Sequence, residues 1–136
     1  MTCPGISAKA TVLIALWCLL LTECARTAPK RMISLDQRAN DTQISAVIGQ
    51  QIEIALPENP TTGFRWELRQ DGAPTCVSEG SRFETSTGGL GKGGTRRWRF
   101  EAVHEGSGRI ELVYRRPFES DKPPAQVFRI AVRVEK

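Results

Sequence analysis

From Gln43 onward apolar and polar residues alternate with a period of two, and this alternation constrains the fold more than any other feature of the chain. Ile52, Ile54 and Leu56 alternate with polar neighbours, and Phe64, Trp66 and Leu68 with Arg65, Glu67 and Arg69. Trp98, Phe100 and Ala102 oppose Arg97, Arg99 and Glu101, and Phe128, Ile130, Val132 and Val134 oppose Arg129 and Arg133. Successive side chains of a strand point to opposite faces, whereas a helix repeats every 3.6 residues or so, about twice that period. Each run is therefore a strand with one apolar face. Residues 43–48 and 109–115 extend the series. Between the runs lie turn clusters: Pro57-Glu58-Asn59-Pro60, Asp71-Gly72-Ala73-Pro74, Gly88-Gly89, Gly93-Gly94, Gly106-Ser107-Gly108 and Lys122-Pro123-Pro124. Short strands so punctuated predict an all-β chain folded as a two-sheet sandwich of immunoglobulin-like design. The Cys…Trp…Cys signature of true immunoglobulin domains is missing, so the likeness is architectural. No internal repeat and no helix of convincing length stand out.

The first segment does not share the alternation. Lys9 precedes an unbroken apolar run over residues 10–21, and polar residues follow at once. A membrane-spanning helix needs ~20 apolar residues and the core of an export signal roughly 7–15. The sequence thus predicts a cleaved signal peptide over residues 1–24 and one sandwich domain over residues 25–136, exported to the periplasm or secreted. Leu21-Thr22-Glu23-Cys24 is similar to a bacterial lipobox but carries Glu23 where a small residue is usual. Cleavage near Ala25 or Ala28 is no better supported, so a soluble form and a form lipid-anchored at Cys24 both stay open. Cys3, Cys18 and Cys24 all fall in or at the edge of the leader, which leaves Cys76 alone in the mature domain and allows no internal disulfide. Roughly 110 residues are enough to hold a core without one. A monomer is expected, with membrane contact only through an anchor at Cys24.

A net charge of +4 invites a nucleic-acid reading. The arginines, however, fall mostly on outward strand positions with Glu67, Glu101 and Glu111 among them, the pattern of a solvated sheet face. No nucleic-acid partner is expected. Catalysis is short of a base. The single histidine, His104, adjoins a glycine-rich turn, and Cys76 before Val77 reads as a small apolar strand residue. The chain is expected not to be an enzyme. No cluster has metal-ligand spacing, and no cofactor is implied. Gly91-Lys92 is followed by Gly93-Gly94 and a strand, where a phosphate loop needs Ser or Thr and a helix. Asn40-Asp41-Thr42 fits a glycosylation acceptor and matters only in a source that glycosylates exported proteins.

Three loops remain with unusual chemistry. Asn59-Pro60-Thr61-Thr62-Gly63-Phe64 combines a φ-locked proline, two threonines stiff at χ1 and a glycine free to take positive φ. Taken alone it reads as a well-formed turn. Around Gly91-Lys92-Gly93 missing side chains let another backbone come close. Arg116-Pro117-Phe118 sets a cation, a rigid residue and an aromatic in a row, the composition of a binding hot spot.

Together and in this order the three resemble the motifs of the chagasin family of cysteine-protease inhibitors, which carries an Asn-Pro-Thr-Thr-Gly-aromatic loop, a Gly-x-Gly segment and an Arg-Pro-aromatic loop on an immunoglobulin-like sandwich. The resemblance spans about Val47 to Val134. It implies reversible, tight inhibition of papain-like proteases through three loops at one end of the sandwich. Residues Asn59, Pro60, Thr61, Thr62, Gly63 and Phe64 would enter the cleft, with Thr61 nearest the enzyme's Cys–His pair. Gly91, Lys92 and Gly93 would lie along the non-primed side, and Arg116, Pro117 and Phe118 would contact the primed side. Phe118 stands where the family more typically has Trp, so no indole N–H can donate there. A carbohydrate- or surface-binding adhesion module of the same architecture is the alternative.

Overall fold

A computed structural model describes residues 31–89 and 91–136, so the expected leader with Cys24 lies outside the described residues. In chain order the strands are β1 (Ile33–Leu35), β2 (Thr42–Val47), β3 (Gln51–Glu58), β4 (Arg65–Asp71), β5 (Cys76–Thr85), β6 (Gly94–Ala102), β7 (Gly106–Arg115) and β8 (Gln126–Glu135). They form two four-stranded sheets, ordered β1-β3-β6-β5 and β2-β8-β7-β4. β1 runs parallel to β3 and β2 parallel to β8, while the other neighbours are antiparallel. This is the immunoglobulin-like sandwich that the alternation predicts.

The period-two faces meet between the sheets. Ile52, Ile54 and Leu56 of β3 and Phe100 and Ala102 of β6 face Ile110 and Leu112 of β7 and Phe128, Ile130, Val132 and Val134 of β8, all fully buried. Burying such a side chain stabilises by about 1.5–3 kcal/mol, so these positions dominate the fold's stability. Cys76 belongs to the same core, as its apolar reading predicts. The outward positions are paired rather than merely solvated. Glu53 accepts from Arg97 Nη1 at 2.8 Å and from Arg99 Nε at 3.3 Å, and Arg97 Nε also donates to Glu84 at 2.7 Å. Arg97 thereby holds the Glu84 carboxyl below its usual range. On the other sheet Arg115 donates to Glu67 at 2.6 Å.

Several features depart from the sequence reading, and one is that Pro57 and Glu58, read as part of a turn, close β3. β5 is an edge strand, mostly exposed and bulged between Ser78 and Gly80, so no apolar alternation marks it beyond Cys76. β1 has only three residues, too few for a period to show. Gly106-Ser107-Gly108 is no turn but the start of β7, paired with Val134, Arg133 and Val132. Gly108 is glycine because a Cβ there would collide with the Thr75 hydroxyl and the Gly72 carbonyl. Gly94 likewise opens β6 rather than turning the chain.

Candidate functional site

The ladder register brings three connections to one end of the sandwich. Glu58 at the end of β3 pairs with Gly94 at the start of β6, and Gly94 pairs with Thr85 at the end of β5. Arg65 at the start of β4 pairs with Arg115 at the end of β7. The described residues of 59–64, 86–93 and 116–125 therefore project from the same edge. They are called loops one, two and three below.

Loop one closes on itself. Residues Pro60–Thr62 form a single 3-10 turn with Asn59 as its N-cap and Pro60 inside the first turn, where a missing N–H costs nothing. Asn59 Oδ1 accepts from the Thr61 N–H at 3.2 Å and from the Thr61 hydroxyl at 2.6 Å. The Thr62 hydroxyl donates to the Asn59 carbonyl at 2.7 Å, and the Gly63 N–H to the Pro60 carbonyl at 3.0 Å. Gly63 ends the turn at φ +80°, the left-handed region in which β-carbons are strained. The backbone is thus preorganised, and ordering it on binding costs little.

The stem of loop one is anchored below. The Asn59 N–H donates to the Tyr114 hydroxyl at 3.3 Å, and Trp66 Nε1 donates to the Pro57 carbonyl at 2.9 Å. Tyr114 lies between two rings, with its centroid 5.4 Å from Phe64 and 5.0 Å from Trp66. Phe64, expected as the first strand residue, sits just before β4, its ring stacked on Tyr114.

Loops two and three flank loop one in contact with it. A Cβ added at Gly93 would stand 2.8 Å from the Glu58 carbonyl oxygen and 3.2 Å from Asn59 Cβ, so loop two rests directly on the stem of loop one. Gly91, at φ +87°, has nothing within 4 Å of its Cβ position. Of the two glycines, only Gly91 is open to an incoming backbone. Lys92 folds back over Gly88, with Cδ 3.1 Å from that residue's Cβ position. On the other side Arg116 lies 4.6 Å over the Phe64 ring and donates from Nε to the Thr62 carbonyl at 3.3 Å. The Phe118 ring comes within 3.5 Å of the Gly63 Cβ position, yet the residue is 75% exposed. An apolar side chain left this open is available to a partner.

All twelve residues singled out in the sequence thus gather at one edge, in the spatial order two, one, three. The supporting residues Glu58, Trp66, Arg96 and Tyr114 were not foreseen. Glu58 and Arg96 did carry a signal, a charge at a position whose strand parity points inward.

Among the described residues nothing at this edge resembles a catalytic centre. Cys76 lies at the far end of β5, roughly 30 Å of extended strand from loop two. Burial pushes its thiol up, against the effect of a hydrogen bond with Thr75 and together with the charge of Asp71. A buried thiol so shifted is a poor nucleophile. Among the described residues no group of three or more His, Cys, Asp or Glu side chains could hold a metal ion.

Comparison with known proteins identifies relatives of this chain. The family model described as "Chagasin family peptidase inhibitor I42" matches residues 45–132. Amoebiasin-1 of Entamoeba histolytica is 34% identical over 86 residues, covering 63% of this chain and 84% of that protein. Chagasin of Trypanosoma cruzi is 26% identical over 99 residues, covering 69% of this chain and 90% of that protein. The cysteine protease inhibitor EhICP2 of Entamoeba histolytica shares the fold, with a TM-score of 0.70 at 20% identity over 76% of this chain and 96% of the other. The match runs from within β2 to within β8 and includes the strands that carry all three loops, and the chain belongs to the chagasin family of peptidase inhibitors.

Proposed function

We propose that this protein inhibits papain-like cysteine proteases by lodging loop one in the catalytic cleft while loops two and three grip its two sides. The observation that carries the reading is the contiguity of the three loops. Gly93 abuts Asn59 and Phe118 abuts Gly63, so motifs scattered over some sixty residues of sequence make one rigid edge. The family supplies the class of partner, and the chain acts as an inhibitor and not as an enzyme.

Blockade rather than turnover follows from the conformation of loop one. A protease cleaves a segment drawn out as a strand through its cleft, but residues 60–62 are wound in a 3-10 turn whose hydroxyls and amides are tied to Asn59. Extending them would break those bonds and expel Gly63 from its left-handed position. Thr61, exposed at the apex, would stand nearest the enzyme's Cys–His pair. Interfaces of about 1,600 Å² built from preorganised loops reach nanomolar affinity, near −12 kcal/mol.

Titration of papain with the protein tests this directly. Reversible, competitive inhibition is expected, together with nanomolar binding to papain whose catalytic thiol carries a methylthio cap, since a wedge needs the cleft's shape and not its chemistry. A cut between Asn59 and Phe64 after long incubation, or a covalent adduct, overturns the mechanism. The apolar run over residues 10–21, read as the core of an export signal, supports a site of action outside the cytoplasm. Intact-mass analysis of exported protein checks this: a retained Met1 refutes it, and a diacylglycerol-sized increment at Cys24 identifies a lipid anchor.

A further inference from the structure

Glu58 and Arg96 both occupy strand positions that face the interior, and they form an ion pair there. The Glu58 side chain is 0% exposed and that of Arg96 20%. Arg96 Nη2 donates to Glu58 Oε1 at 2.6 Å, and Arg96 Nε lies 3.2 Å and 3.3 Å from the two carboxylate oxygens. Glu58 Oε2 also accepts the Trp66 backbone N–H at 2.9 Å. The guanidinium lies 5.4 Å from the centre of the Phe83 ring.

Stability does not account for this pair. Withdrawing charges from water is costly, and apolar replacements of similar volume are often neutral or stabilising. What the pair does is geometric. One carboxylate ties together the residue just before loop one (Glu58), the first buried residue after it (Trp66) and the strand that leaves loop two (Arg96), while the guanidinium reaches Phe83 on the strand that leads into loop two. No apolar pair can fix those four segments in a single register, because apolar contact is not directional.

We propose that the Glu58–Arg96 pair is a positioning device that locks loop one to loop two, so that both meet the protease as one edge. The proposal rests on the inhibitory reading, and its test is built to fail separately from it. Replacing both residues by Met preserves volume and removes the lock, whereas Glu58→Gln keeps an acceptor oxygen and weakens it. In the free proteins the amide resonances of Thr61 and Gly93 report loop geometry, the thermal midpoint reports the fold, and surface-immobilised papain reports association and dissociation rates.

The double variant is expected to fold, with a thermal midpoint lowered only by the loss of an acceptor for the Trp66 N–H, while the Thr61 and Gly93 resonances shift or broaden. Its dissociation should be about tenfold faster or more, with association little changed, because loosened interfaces act mainly on the off-rate. Glu58→Gln should fall between the double variant and the natural protein. A folded double variant with unmoved resonances and an unchanged dissociation rate overturns the proposal. Should the double variant fail to fold, Glu58→Gln decides alone: faster dissociation supports the lock, and an unchanged rate refutes it. If the natural protein does not bind papain, the inhibitory reading fails instead, and the resonances of the free variants still decide whether the pair sets the loops.

Discussion

The backbone N–H of Asn59 donates to the phenolic oxygen of Tyr114 across 3.3 Å, joining the first residue of loop one to the strand that leads into loop three. The bond links residues 55 positions apart in the chain. It makes Tyr114 a strut under the site rather than a contact within it, because its ring is clasped by Phe64 and Trp66.

Removing that hydroxyl by Tyr114→Phe leaves the Asn59 amide without its partner while the ring stack survives. A cost of about 0.5–1.5 kcal/mol in unfolding free energy is expected. The inhibition constant should rise several-fold, since the N-cap of loop one is freed. Denaturant melts and papain titrations of the same preparation check both, and equal inhibition constants for the two proteins would show that the strut is idle.

Phe118 is 75% exposed and packs only lightly on Gly63, so Phe118→Ala should weaken binding by about 1–3 kcal/mol and leave the thermal midpoint unchanged. Phe118→Trp should bind equally or more tightly, because the ring has room to grow. A loss of folding in the alanine variant would place Phe118 in the core, against its exposure.

The two glycines of loop two should separate by function. Gly93→Ala thrusts a Cβ against the Glu58 carbonyl at a φ of +60°, so both stability and inhibition should fall. At Gly91 an added Cβ meets no neighbour within 4 Å, so the first cost of Gly91→Trp is its positive φ, about 1–2 kcal/mol. Its inhibition should nevertheless collapse, because the enzyme's backbone has to approach there. Melting curves beside inhibition constants distinguish the cases. Undiminished inhibition by Gly91→Trp would mean that loop two is only a turn.

Burial raises the Cys76 thiol above its ordinary value, so folding favours the neutral form. The stabilisation from this group is complete below the unfolded thiol's pKa of about 8.5 and is lost as pH rises through the folded value. Native protein should react slowly with iodoacetamide at pH 8 and denatured protein rapidly. In Cys76→Ala the alkaline fall in stability should be shallower than in the natural protein. Rapid alkylation of the native thiol contradicts this placement.

The architecture was legible in the sequence wherever an element had one face in water and one in the core. β3, β6, β7 and β8 each bury an alternating row, and the row itself announces the strand. β5 was not legible, because an edge strand bulged between Ser78 and Gly80 and mostly exposed has no apolar row to show. Gly106 and Gly108 were mistaken for a turn for a related reason. Gly108, fixed by close packing against Gly72 and Thr75, is indistinguishable in sequence from a glycine fixed by its φ, as Gly106 is at +137°.

The composition of the site was local information. Proline before two threonines and a glycine specifies a capped turn by itself, and Arg-Pro-Phe specifies a stiff, exposed aromatic wherever it falls. Its assembly was not local. That Gly93 lies against Asn59, that Phe118 lies on Gly63, and that Glu58 meets Arg96 behind them depend on the register of β3 with β6 and of β4 with β7. A period of two determines which face each residue takes but is blind to which strands become neighbours, since every apolar row satisfies every other. Only packing the two sheets together chose the neighbours, and with them the edge that carries the loops.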